Sequence, residues 1–238
     1  MRILITNDDG ISTAGLRLLA DTARKYGEVY VVAPDGQRSA TSHSFTYNKP
    51  LIVKEYDYKM ENVNAYSCSG SPADCVRLGI IKLLPEKPDF VFAGINTGYN
   101  ICWDIQYSGT IGAVMEGSFY GVQSIAFSQG SPDKNEVVNA YLDDLMRECM
   151  SKPLEIGKVW SINFPDCSLA ECKGIMRDCR VSTDSFYNDD YTVETLDDGS
   201  KSFMIKIDRV WEATKGTDLA AIKDKYVSVG IVNNLGIM

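Results

Sequence analysis

Along the first two-thirds of the chain, short apolar runs alternate with longer stretches whose apolar residues recur at helical spacing. The runs at 3–5, 28–33, 89–95, 122–128 and 158–164 read as strands, and unbroken apolar runs of this kind suit a sheet buried on both faces. Leu16, Leu19, Ala20 and Ala23 mark a helix to about residue 26, with Ser12 or Thr13 as its cap and Gly27 at its end. Ser71, Pro72 and Asp74 form a capping-box start for a helix that stops before Pro85. Further helices are predicted over about 111–120 and 135–150, and residues 51–58 and 63–68 read as a hairpin. Strand and helix in alternation predict a doubly wound, mostly parallel α/β sheet.

The pattern changes after Pro165. Residues 175–184 and 202–211 are predicted as the two strands of an antiparallel arm, with the acidic stretch 188–200 as a loop between them. A short helix from 216 to about 226 and a strand-like run at 227–232 follow. A two-stranded arm is marginal alone, so it is expected at an interface between subunits. The expectation is one domain over 1–238, with a core at 1–165 and the arm, short helix and terminal strand at 166–238.

Composition narrows the function classes. The chain has 238 residues and a net charge of -8. That balance disfavours binding of long nucleic acids through their phosphates. No run approaches the roughly 18 apolar residues of a membrane helix, and no basic, apolar signal pattern opens the chain, so a cytoplasmic protein is expected. Seven cysteines without a C-x-x-C pair, beside a single histidine, His43, argue against a zinc site.

The chemistry gathers at strand ends. Asp8 and Asp9 follow the first strand, Ser39 lies in a hydroxyl-rich loop (37–46) after the second, and Asn96 closes the strand at 89–95. In an open parallel sheet ligands bind at such ends. Two adjacent carboxylates there either cap the next helix or share a hard cation. The oxygen-only set suits magnesium, manganese or calcium. Asn100, with Ser108, Gly109 and Thr110 at a helix start, offers an anion site beside it. Cation and anion pockets together point to metal-assisted phosphoryl hydrolysis, with Asp8 or Asp9 taking the proton of the attacking water. There is no G-x-x-x-x-G-K-[ST], no G-x-G-x-x-G after the first strand, no G-x-S-x-G and no aspartyl-phosphatase pattern. A serine–histidine triad would have to be built on His43 alone.

Six blocks in order carry a resemblance: ILITNDDGI at 3–11, VVAPDGQRSATSHSFT at 31–46, SGSPADCV at 69–76, AGINTGYN at 93–100, YSGTIGAVMEG at 107–117 and GTDLAAIKDKYVSV at 216–229. The chain resembles the SurE family of survival proteins, the 5′/3′-nucleotidases. The resemblance implies a Rossmann-like core and a metal-dependent phosphatase acting on nucleoside monophosphates. It implies one divalent cation per subunit on Asp8, Asp9, Ser39 and Asn96, and phosphate contacts from Asn100, Ser108, Gly109 and Thr110. It also implies a homodimer or homotetramer through the arm, and in some members cleavage of short polyphosphate. Three positions depart from the family pattern: Ala93 replaces serine, Ser71 replaces threonine and Cys102 replaces glycine. Ala93 and the Cys102–Trp103 pair bear on substrate preference. The tail after Val229 lacks the family's proline-containing pattern. The competing expectation is a nucleotide-binding or sensing module without turnover.

Overall fold

Apolar side chains on both faces of a strand require cover on both sides, and the chain supplies it. The structure, a computed structural model, describes residues 1–133 and 135–233. Among the described residues, the strands β1 (Arg2–Thr6), β2 (Glu28–Pro34), β3 (Val53–Glu55), β4 (Val63–Cys68), β5 (Phe90–Thr97), β6 (Gln123–Gln129), β7 (Lys158–Phe164), β8 (Ile175–Cys179), β9 (Tyr187–Thr195), β10 (Lys201–Arg209) and β11 (Val227–Asn233) are interspersed with five α-helices. The helices are α1 (Ala14–Ala23), α2 (Pro72–Leu78), α3 (Gly109–Phe119), α4 (Glu136–Met150) and α5 (Asp218–Lys223). Nine strands form one sheet in the order β3-β4-β2-β1-β5-β6-β7-β11-β8. Strands β4, β2, β1, β5, β6 and β7 run parallel, so their carboxyl ends share one rim. Ile3, Ile5, Leu16, Leu19, Val137 and Leu142 pack on one face. Leu4, Cys75, Val76, Ile111 and Val114 pack on the other.

From β1 the chain moves outward to β2 and β4, then returns to β5 on the opposite side of β1. That reversal makes the carboxyl ends of β1 and β5 a topological switch point, where a crevice opens in such sheets. The capping box at Ser71 and Asp74 is present, and α2 continues as one π-helical turn, Gly79–Leu83. α1 stops at Ala23, short of residue 26. Thr13 stands at its N-cap position, yet its hydroxyl donates to the Gly10 carbonyl (2.9 Å) rather than capping the helix.

The arm is corrected in two respects. β8 joins the main sheet beside β11, and β11 pairs antiparallel with β7, so residues 175–184 are no part of the arm. The partner of β10 is β9, which occupies most of the stretch expected as a loop. Acidic residues hide its period: Tyr191 and Val193 alternate with Asp190, Thr192 and Glu194. Tyr191 pairs with Ile205 and Val193 with Phe203, which lines the apolar residues along one face of a separate two-stranded sheet. The closing residues 234–238 lie outside the described ones.

Candidate active site

The loop after β1 is tied down by Asn7, which is fully buried. Its amide nitrogen donates to the Gly10 carbonyl (3.1 Å) and to Thr13 Oγ1 (2.9 Å), and its Oδ1 accepts from the Gly10 N–H (3.2 Å). Gly10 turns with φ +108° and lies against the backbone of Gly36, so the loops after β1 and β2 meet there. Held this way, Asp8 is 5% exposed and its Oδ1 accepts from Thr110 Oγ1 (2.7 Å). Asp9 Oδ2 accepts from the N–H of Thr97 (2.9 Å), next to Asn96. Asn96 itself is nearly buried, and its amide nitrogen donates to Gly98 O (2.9 Å), so its amide oxygen is the atom that could ligate a cation. The N–H of Arg38 donates to the Asp8 carbonyl (2.7 Å), which brings in the neighbouring Ser39. Ser39 is exposed, and its Oγ accepts from Gln37 Nε2 (3.0 Å).

Burial, first of all, raises both carboxyls above their ordinary range. Asp8 is pushed up to about 6, with the Asp9 charge adding to the effect. Among the described residues, no lysine, arginine or histidine pairs with either one. A buried and a half-buried carboxylate with no counter-charge among the described residues, beside an amide and a hydroxyl oxygen, fit a hard divalent cation.

The amino end of α3 lies against this pair. A Cβ on Gly109 would stand 3.1 Å from Asp8 Cβ. Ser108 caps the helix, its Oγ accepting from the Ile111 N–H (3.1 Å). Thr110 spends its hydroxyl on Asp8, so it orients that carboxylate as well as standing in the predicted anion site. Asn100 is buried, and its Nδ2 donates to Ser128 Oγ on β6 (2.7 Å). Its backbone exchanges two hydrogen bonds with the side chain of Asn163 on β7. Sequence reading missed Ser128 and Asn163, whose one signal is a polar residue within an apolar strand run. His43 is no part of a triad: its Nε2 meets Glu116 Oε2 on α3 (2.8 Å), and its ring stacks on Phe119.

The family model described as Survival protein SurE matches residues 3–188. The chain belongs to the SurE family. Its relatives include proteins named 5′-nucleotidase SurE. That from Clostridium botulinum (strain 657 / Type Ba4) is 41% identical over 96% of this chain and 91% of the relative. That from Thermoanaerobacter sp. (strain X514) is 34% identical over 96% and 90%. The crystal structure of the SurE protein from Aquifex aeolicus superposes with a TM-score of 0.83 at 32% identity, covering all of this chain and 95% of that one. SurE membership gives the Cys102 departure a physical meaning. Cys102 sits at φ +57°, in the left-handed region that favours the glycine expected there.

Proposed function

We propose that this SurE chain is a metal-dependent nucleotidase that hydrolyses the phosphate monoester of nucleoside 5′-monophosphates. Activity on 3′-monophosphates and on short polyphosphate belongs to the same proposal. The observation that carries it is the pair of carboxylates at the switch point, Asp8 buried and Asp9 half-buried, with no counter-charge among the described residues and set against the amino end of α3. Asp8, Asp9, Ser39 and Asn96 would hold one cation, Mg²⁺ or Mn²⁺, with Ca²⁺ as a further candidate. When bound, it supplies Lewis-acid polarisation of a phosphoryl oxygen. Asn100, Ser108, Gly109 and Thr110 bind the phosphate through amide, hydroxyl and helix-end N–H groups and stabilise charge on its equatorial oxygens. Asp9 is the less buried of the two carboxylates. It takes a proton of the attacking water as that oxygen bonds to phosphorus, while the P–O bond to the nucleoside breaks and the leaving oxygen takes a proton from solvent. The proposed setting is the cytoplasm.

The test is phosphate release from 5′- and 3′-mononucleotides in EDTA and after adding back Mg²⁺ or Mn²⁺. Release is expected only with the cation, and from the 5′ series at least. No release from folded protein with any cation would return the chain to the non-catalytic nucleotide-binding reading.

We also propose that the arm joins subunits into a dimer or tetramer. Tyr191, Val193, Phe203, Ile205 and Ile207 are all about half exposed on β9 and β10. Ile205→Glu puts a charge in the middle of that face and is expected to give monomers by light scattering. An unchanged mass would exclude the arm as the contact.

A further inference from the structure

β6 is an apolar strand that turns polar at its end. Ile125 and Phe127 pack in one core cluster and Ala126 in the other, which α3 covers with Ile111, Ala113 and Val114. Strand alternation therefore puts Ser128 on the α3 side. Ser128 is level with Asn96 on β5 and with Asn163 on β7, and Asn163 is level with Ser228 on β11. A row of four polar residues thus crosses four neighbouring strands. Ser128 is 0% exposed, and Asn163 and Ser228 are each 1% exposed. Polar side chains in such a place cost free energy unless they are hydrogen-bonded, and the middle of the row bonds Asn100. Asn163 Oδ1 accepts from the Asn100 N–H (2.9 Å), and its Nδ2 donates to the Asn100 carbonyl (3.1 Å), so the backbone of Asn100 is held on both sides. That leaves the side chain its own torsions. Ser128 Oγ removes this freedom by accepting from Asn100 Nδ2 (2.7 Å).

We propose that Ser128 is a positioning residue for the hydrolysis, holding the Asn100 amide in the orientation that presents it to the phosphoryl group. The inference rests on the nucleotidase reading, in which Asn100 binds the phosphate. An amide nitrogen carries two N–H groups in one plane at a fixed angle. Once one of them is given to Ser128, the direction of the other is set. It then meets the charge building on an equatorial oxygen without reorganising first. An asparagine free to rotate would have to be ordered at each turnover, at a cost in side-chain entropy. Asn100 stands in the loop after β5, and a loop holds a group less sharply than a strand does. Its precision is borrowed from β6 through Ser128 and from β7 through Asn163. Ser128 acts through Asn100 and not on the substrate itself.

The test is a double-mutant cycle of S128A with N100A, read as phosphate release from AMP with Mn²⁺ by proteins whose melting curves show them folded. The cycle is repeated with S128C, which fills the space with a weak acceptor and carries the test if S128A does not fold. A misplaced group costs up to about 100-fold, so kcat is expected to fall by about 10- to 100-fold in both variants. KM stays within about twofold, because the lost interaction belongs to the transition state. On N100A, which has no amide to position, either change is expected to add less than about twofold. Wild-type kcat in S128A or in S128C overturns the assignment, and so does a loss that recurs in full on N100A, since each makes Ser128 a packing residue only. If the wild type releases no phosphate with any cation, the nucleotidase reading fails by itself. Equilibrium dialysis of AMP with Mn²⁺ then decides the role of Ser128. Binding weakened by S128A in the wild type and not in N100A supports it, and any other result overturns it.

Discussion

Asp8→Asn is expected to lower phosphate release by about 100-fold or more while making the metal-free protein harder to unfold. The first effect follows from losing one of two anionic ligands. A bound cation is worth several kcal/mol of transition-state stabilisation, and each 1.36 kcal/mol is about tenfold in rate. The second follows from electrostatics. Burial and the Asp9 charge hold the Asp8 carboxyl at about 6 in the folded chain, against about 4 when unfolded. Between those values the folded state binds more protons than the unfolded one. Wild-type stability without metal therefore falls as pH rises from about 4 to about 6, by on the order of 2 kcal/mol. Asparagine keeps an oxygen for Thr110 Oγ1 and removes that loss. Thermal melts in EDTA across this pH window should show D8N several degrees above wild type near neutrality. Added Mn²⁺ should raise the wild-type melting temperature far more than that of D8N. Full turnover by D8N would remove Asp8 from the site. A D8N protein less stable than wild type in EDTA would mean that another group compensates this charge.

The same carboxylates show how far the sequence reaches. Placing Asp8, Asp9 and Asn96 at strand ends needed only the apolar runs before them, because a parallel sheet puts all such ends on one rim. The box at Ser71 and Asp74 and the cap at Ser108 were legible because capping chemistry is local. Asn100 was legible as a polar group, but not its bonds to Ser128 and Asn163, which come from strands β6 and β7, more than 25 residues away. β9 was illegible because Asp190 and Glu194 interleave with Tyr191 and Val193, and the charges concealed the alternation. β8 was misplaced because periodicity identifies a strand and says nothing about its neighbour; the pairing with β11 is set more than 40 residues later in the chain.

Gly112→Ala should separate the Ser39 loop from the fold that carries it. Gly112 lies within α3, where alanine is ordinarily favoured over glycine by up to about 1 kcal/mol. Here its Cβ would stand 2.6 Å from the Ser42 carbonyl oxygen and 2.8 Å from His43 Cα. Both are backbone atoms, so the loop has to move. It is pinned along its length: Ser42 N–H to Tyr107 O (3.0 Å), His43 to Glu116, and Thr46 to both oxygens of Asp74 (2.8 Å each). A shift at Ser42 and His43 thus passes back toward Ser39 and Arg38, whose N–H holds the Asp8 carbonyl. Disturbing the residues that support metal ligands typically costs 10–100-fold in affinity or activity. Mn²⁺ affinity and turnover of G112A are expected to fall by about that range, with the EDTA melting temperature within a few degrees of wild type. Wild-type Mn²⁺ affinity in G112A would mean that Ser39 and its loop contribute nothing to the cation site. The site would then rest on Asp8, Asp9 and Asn96 alone.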